Sequence, residues 1–189
     1  MAAEEKRELR KEIRKKRRQL SMQYCQDADE RIFRHAVSLP EYEKAETVFC
    51  YVGTRDEIDT LPLLKDILKR GKRLGVPKCI SKGIMKVFEI RNLESLEEGA
   101  YGILEPAESC SLIEPEEIDL AYVPCLSCST DGRRLGFGGG YYDRYLQHVR
   151  FPGAVLCRSR LMSEEIPMDT YDRQMDIVIS EEQIIRVHP

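Results

Sequence analysis

The sequence predicts an α/β fold, a three-layer α/β/α domain around a mostly parallel sheet. Two continuous apolar runs, Thr47–Val52 and Ile118–Pro124, read as strands buried on both faces. Strand-like runs alternate with segments of helical period, which is the order of a layered α/β chain. The 189 residues suit one domain with a sizeable core, spanning 1–189, with 1–38 packing on it as a basic helical segment.

Residues 4–38 carry the helical pattern, with a break expected near Ser21. Leu9, Ile13 and Leu20 form an apolar stripe, continued by Ile32, Phe33 and Val37. Lys6, Arg10 and Arg14 recur every fourth residue and so stack on one side. Three readings fit that row: a solvated face partnered by Glu4, Glu5, Glu8 and Glu12, a surface for RNA or a membrane, or cations aimed at the phosphates of a nucleotide.

After the Thr47–Val52 strand, the loop Gly53–Thr60 holds Asp56, Glu57 and Asp59. Thr60, followed by Pro62, reads as the N-cap of a helix through Leu63, Leu64, Ile67 and Leu68 that ends at Gly71. Ligands of open α/β sheets bind at the carboxyl ends of strands. A carboxylate there can accept the N–H groups of a pterin-type ring, whereas capping accounts for Asp59 but less well for Glu57. Lys72–Pro77 and Met85–Ile90 predict two short strands, and 91–115 is rich in turn formers, with Tyr101–Pro106 its most defined piece.

Ile118–Pro124 leads towards Gly132-Arg-Arg-Leu-Gly-Phe-Gly-Gly-Gly-Tyr-Tyr-Asp143, followed by a short helical pattern at Tyr142, Tyr145, Leu146 and Val149. Strand, glycine loop and helix together present bare N–H groups to an anion. An ordinary tight turn is the plainer reading. A Rossmann fingerprint would need glycine at Tyr141, and a Walker loop a Gly-Lys-Ser/Thr ending, so neither template applies. The tail predicts strands at Gly153–Cys157 and Met175–Ile179. Between them lie Asp169, read as turn chemistry, and Asp172; Asp176 opens the last strand, and such carboxylates complete a magnesium shell.

A net charge of −3 makes no demand for nucleic acid. No apolar run approaches the roughly 20 residues of a membrane span and no signal peptide is read, so a cytoplasmic protein is expected. Seven cysteines without a framework suit a reducing compartment. Cys125-Leu-Ser-Cys128 lacks a second pair, and His35, His148 and His188 stand apart. Buried thiols flanking the loop are expected rather than a metal or redox site.

Taken together, Lys6–Arg10, Asp56–Thr60, Arg134–Arg144 and Met175–Val178 closely resemble the 5-formyltetrahydrofolate cyclo-ligase family, in the right order over nearly the whole chain. The resemblance implies a NagB/RpiA/CoA-transferase-like fold. It implies ATP- and Mg2+-dependent closure of 5-formyltetrahydrofolate to 5,10-methenyltetrahydrofolate, with ADP and phosphate released. The implied partners are ATP and a reduced folate, with no nucleic acid or membrane, and the protein is expected to be a monomer. Lys6, Arg7, Glu8, Leu9 and Arg10 would bind ATP, together with Arg134, Leu135, Gly136, Phe137, Gly138, Gly139, Gly140, Tyr141 and Tyr142. Val52 and Glu57 would hold the folate, bordered by Phe137, Gly138, Gly139, Gly140 and Tyr141. Asp143 and Asp176 would hold magnesium, with Arg134 and Asp143 in the catalytic roles. Phe137 and Gly139 stand where some relatives carry cations, so Arg134, Arg144 and the first helix must supply that charge. Leu156–Met162 also departs from the expected pattern. The alternatives are a nucleotide- or sugar-phosphate-binding protein of the same fold, and an RNA or membrane module working through the first helix.

Overall fold

The computed structural model describes residues 2–99, 102–147 and 149–187; Tyr101, His148 and His188, named above, lie outside them. In chain order the elements begin with α1 (Ala2–Arg18), α2 (Met22–Val37), α3 (Pro40–Lys44), β1 (Thr47–Cys50), α4 (Leu61–Lys69), β2 (Arg73–Ser81) and β3 (Ile84–Ile90). Then come β4 (Leu96–Glu98), β5 (Leu104–Pro106), β6 (Leu112–Ile113), β7 (Leu120–Val123), β8 (Ser127–Cys128) and β9 (Arg134–Leu135). The last are α5 (Tyr141–Leu146), β10 (Gly153–Leu156), β11 (Ile177–Ile179) and β12 (Ile184–Arg186).

The central sheet runs β12-β11-β10-β7-β1-β2-β3-β6. Five adjacent strands, β11, β10, β7, β1 and β2, are parallel; β12 and β3 run antiparallel to them on either side, and β6 pairs antiparallel with β3. Every residue of β1, β7, β10 and β11 is buried, as expected for strands covered on both faces. Alternation along β1 divides the core. Val48 and Cys50 pack with Ile32, Tyr42, Leu64 and Ile67 beneath α2, α3 and α4. Phe49 packs on the other face with Ile13 of α1, Leu146 of α5 and Leu135 of the β8–β9 hairpin. The expected three layers are therefore present, and α1 is anchored to the core through Ile13.

The break near Ser21 is a cap: its side chain accepts the N–H of Tyr24 at 3.1 Å and starts α2. Thr60 does not cap α4, contrary to expectation. Its hydroxyl turns inward, donating to the Tyr51 carbonyl and accepting the Gly53 N–H, each at 2.8 Å. The loop must close beside the buried end of β1, where unpaired backbone groups would be costly. Asp59 instead accepts the Leu61 N–H at 3.0 Å. β2 runs past Pro77 because β1 pairs with it only as far as Gly75, leaving a free side where a proline costs no ladder bond.

Candidate active site

Beyond the carboxyl ends of β1 and β7 lies a cavity of about 500 Å³. Tyr51 and Val52 reach it from β1, Pro124 from β7, and Glu57 from the loop that Thr60 closes. The glycine loop, Gly136–Tyr142 with Asp143, forms the opposite wall. Residues separated by some eighty positions in sequence thus face one space, which suits a ligand with a ring at one end and anionic groups at the other.

The loop earns its glycines at one position above all. Gly138 has φ 110°, a conformation that side chains resist, and the Arg10 guanidinium lies 3.7 Å from where its Cβ would stand. Arg10 Nε donates to the Gly136 carbonyl at 2.9 Å and Arg14 to that of Phe137 at 3.3 Å. Arg144 ties the Gly139 carbonyl to that of Gly83 in the β2–β3 turn, at 3.2 and 3.3 Å. Among the described residues, no N–H from Phe137 to Gly140 is spent on a protein acceptor. Carbonyls tied back by arginines and N–H groups left free are the arrangement of an anion cradle.

Arg134 sits beneath this loop with its side chain 2% exposed. It pairs with the Asp143 carboxylate, donates to the Pro124 carbonyl at 3.3 Å and lies 5.8 Å from the centre of the Tyr142 ring. Its Nε is buried without a partner among the described residues, a donor left over at the cavity wall. Tyr142 stacks on Phe49, and burial, then the Glu57 carboxylate, pushes its hydroxyl far above the ordinary range, so it stays protonated.

Glu57 accepts the Thr54 N–H at 2.9 Å. Its loop is held from outside by Arg158, which binds both oxygens of Asp29 at 2.8 Å and the Glu57 carbonyl at 2.9 Å. Arg158 lies in the segment that departs from the expected pattern, and here it supports the Glu57 side of the cavity. No sequence signal links residues 29 and 158. Glu105 was also missed: it is buried at the cavity wall and accepts the Cys79 N–H at 3.0 Å. Burial, together with Glu105, pushes the Cys79 thiol up to about 11, so that thiol is no nucleophile at neutral pH. The only available hint was the definition of Tyr101–Pro106 as a unit.

The remaining expected residues separate. Leu135 turns into the core, since neighbours on a strand face opposite ways and Arg134 takes the cavity side. Arg7 and Glu8 are exposed on α1 and pair with Glu4 and Lys11, while Leu9 packs against the core. Lys6 does not reach the loop: its ammonium is bound by Asp172 and, at 2.7 Å, by Asp169, so Asp169 does more than shape a turn. Arg17 pairs with Asp56 at 3.2 Å, so the basic row of α1 is engaged along much of its length.

Asp176 is not brought to Asp143. It opens β11 at the amino edge of the sheet, where its carboxylate accepts the Gly153 N–H at 2.8 Å and pairs with Arg173 at 3.2 Å. The parallel register places that edge away from the cavity. Asp143 by itself still suits magnesium. Its side chain is 29% exposed and only Oδ1 is taken by Arg134, which leaves an oxygen for a cation that prefers one or two carboxylates with phosphates and water.

Lys6→Met tests the reassignment of Lys6. It should lower stability by about 2 kcal/mol, less than for a fully buried pair because Asp169 is well exposed. For the ATP that the resemblance implies, KM should change less than twofold, measured beside a chemical denaturation curve. A large KM rise at unchanged stability would return Lys6 to the ATP contacts that the resemblance implies.

The model of the 5-formyltetrahydrofolate cyclo-ligase family matches residues 2–181. The mouse 5-formyltetrahydrofolate cyclo-ligase is 26% identical over 190 residues, covering 94% of each chain. The NMR structure of 5,10-methenyltetrahydrofolate synthetase from Aquifex aeolicus superposes with a TM-score of 0.86 at 33% identity, over 97% of this chain and 93% of that one. A 5,10-methenyltetrahydrofolate synthetase from Mycoplasma pneumoniae gives 0.76 at 27% identity, over 93% and 98%. With the match running almost end to end, and the cavity lined by two of the segments that carry the resemblance, Asp56–Thr60 and Arg134–Arg144, the chain belongs to the 5-formyltetrahydrofolate cyclo-ligase family.

Proposed function

We propose that the protein closes 5-formyltetrahydrofolate to 5,10-methenyltetrahydrofolate at the expense of ATP, releasing ADP and phosphate. The observation that carries this reading is the single cavity shared by Glu57 and the glycine loop. The formyl oxygen is a poor leaving group. Transfer of the γ-phosphoryl group to it creates a good one, N10 then bonds to the formyl carbon and loses its proton, and the C–O bond breaks to release phosphate. Such a reaction needs positioning and charge stabilisation more than a protein nucleophile.

Glu57, beside Val52, accepts the polar N–H edge of the pterin. The free N–H groups of Phe137–Gly140 receive phosphate oxygens, with Arg10 holding the loop in shape. Arg134 faces the charge that develops between formyl and phosphoryl groups, and Asp143 orients its guanidinium. Asp143 would hold a magnesium ion with the nucleotide, and the ion would supply further charge neutralisation there. Glu105 borders the folate from β5, beside Cys79 of β2. The chain acts as one domain.

Absorbance measured as purified protein meets 5-formyltetrahydrofolate tests the proposal. The methenyl chromophore should form only when ATP and magnesium are both present. No product from folded protein that binds ATP would remove the folate and leave a phosphate-binding α/β protein.

A further inference from the structure

Three thiols outside the cavity's chemistry converge just behind it. Cys125 follows Pro124 at the exit of β7, Cys128 lies in β8, and Cys157 follows β10. Their sulfurs all lie within 4.8 Å of one another. Cys128 and Cys157 are buried and Cys125 is half-buried, and all three are free thiols. The sequence alone pairs Cys125 with Cys128. Cys157 joins them because β7 and β10 are parallel neighbours, with Val123 beside Val155.

The cluster has the chemistry of a metal site. Three sulfurs each about 2.3 Å from a tetrahedral ion stand about 3.8 Å apart, which small side-chain rotations can reach from the present spacing. Thiolates select soft cations and reject magnesium. A void of about 20 Å³ touches Cys125 and Cys157 and is also bordered by Tyr51 and Glu57. That is room for one water, the ligand a fourth position would take.

We propose that Cys125, Cys128 and Cys157 bind a thiophilic d10 cation, zinc(II) or copper(I), releasing their thiol protons on binding. The cation clamps the exits of β7 and β10 to the β8–β9 hairpin. That hairpin carries Arg134: Cys128 is its cross-strand partner, and Arg134 donates to the carbonyl of Pro124, next to Cys125. The clamp would therefore stiffen the support of the arginine at the cavity wall.

The test uses the whole chain, reduced, stripped with a chelator and kept anaerobic. Zinc(II) and copper(I) are titrated in separate arms, each against a chromophoric chelator of that ion. About one cation per chain is expected in at least one arm, and the arm that saturates identifies it. Cobalt(II) should give thiolate charge-transfer absorption, lost in Cys128→Ser and Cys157→Ser and kept in Cys25→Ser. At a hundredfold excess over Kd the melting temperature should rise by about 5–10 °C. If the serine variants fail to fold, alkylation of the wild-type chain followed by peptide mass analysis decides. The cation should shield Cys125, Cys128 and Cys157 more than tenfold over Cys25. No stoichiometric uptake in either arm, binding kept by folded Cys157→Ser, or unshielded thiols would overturn the site.

Discussion

Asp143→Asn should cut kcat by about 10²–10³-fold while the protein remains folded. The carboxylate holds one face of a guanidinium whose side chain is almost wholly buried, and its free oxygen lies at the wall shared with the glycine loop. Asparagine keeps the shape and one acceptor but removes the charge. Arg134 would then lose the partner that sets its orientation, and the magnesium–nucleotide complex proposed at Asp143 would lose its protein oxygen. Stability should fall by only about 1–2 kcal/mol, because Arg134 retains the Pro124 carbonyl and the Tyr142 face. Steady-state kinetics beside a thermal melt would separate the two effects. Wild-type kcat in a folded variant would take Asp143 out of the reaction.

Gly53→Ala should be the most damaging methyl addition at the site. A Cβ on Gly53 would stand 2.0 Å from the Ile58 carbonyl oxygen and 3.1 Å from its carbon. Both atoms are backbone, so no rotamer change relieves the clash. The strain falls on the loop that carries Glu57, whose closure rests on the Gly53 N–H bonded to Thr60. A cost of about 3 kcal/mol is expected, at the top of the usual range for overpacking, with a drop in melting temperature of about 6–12 °C. KM for the folate should rise about tenfold or more, and KM for ATP should move less than twofold, because the glycine loop is anchored elsewhere by Arg10 and Arg144. Equal increases in both constants would mean that the Gly53–Thr60 loop is not specific to the folate end.

The parts of the fold legible in the sequence are those whose signal is repeated. Thr47–Val52 and Ile118–Pro124 announce buried strands by being apolar throughout, and both lie at the centre of the sheet. The β8–β9 hairpin was not legible: each strand has two residues, too few for any period, and its pairing depends on the turn at Ser129–Gly132. The edge strand Ile184–Arg186 is only one residue longer and is specified by its neighbour β11. In the site, Glu57 and the glycine loop could be named because local composition marks them, and Val52 through the resemblance, whereas Glu105 could not, since a glutamate before a proline looks like any turn.

The sequence by itself determined the order of the main strands and helices, the glycine loop and the family of which they are the mark. These depend on properties within a few residues: side-chain period, the conformations open to glycine, and the residues that break helices. Tertiary structure alone decided which charges meet. Lys6 and Arg10 stand one turn apart on α1, yet Lys6 is taken by Asp172 and Arg10 holds the Gly136 carbonyl, across 166 and 126 positions of chain. Asp176 and Asp143 carry the same side chain, yet one closes the amino edge of β10 and the other faces the cavity. An ion pair or hydrogen bond acts over a few ångströms of space, and only the folded sheet sets which distant residues fall within that range.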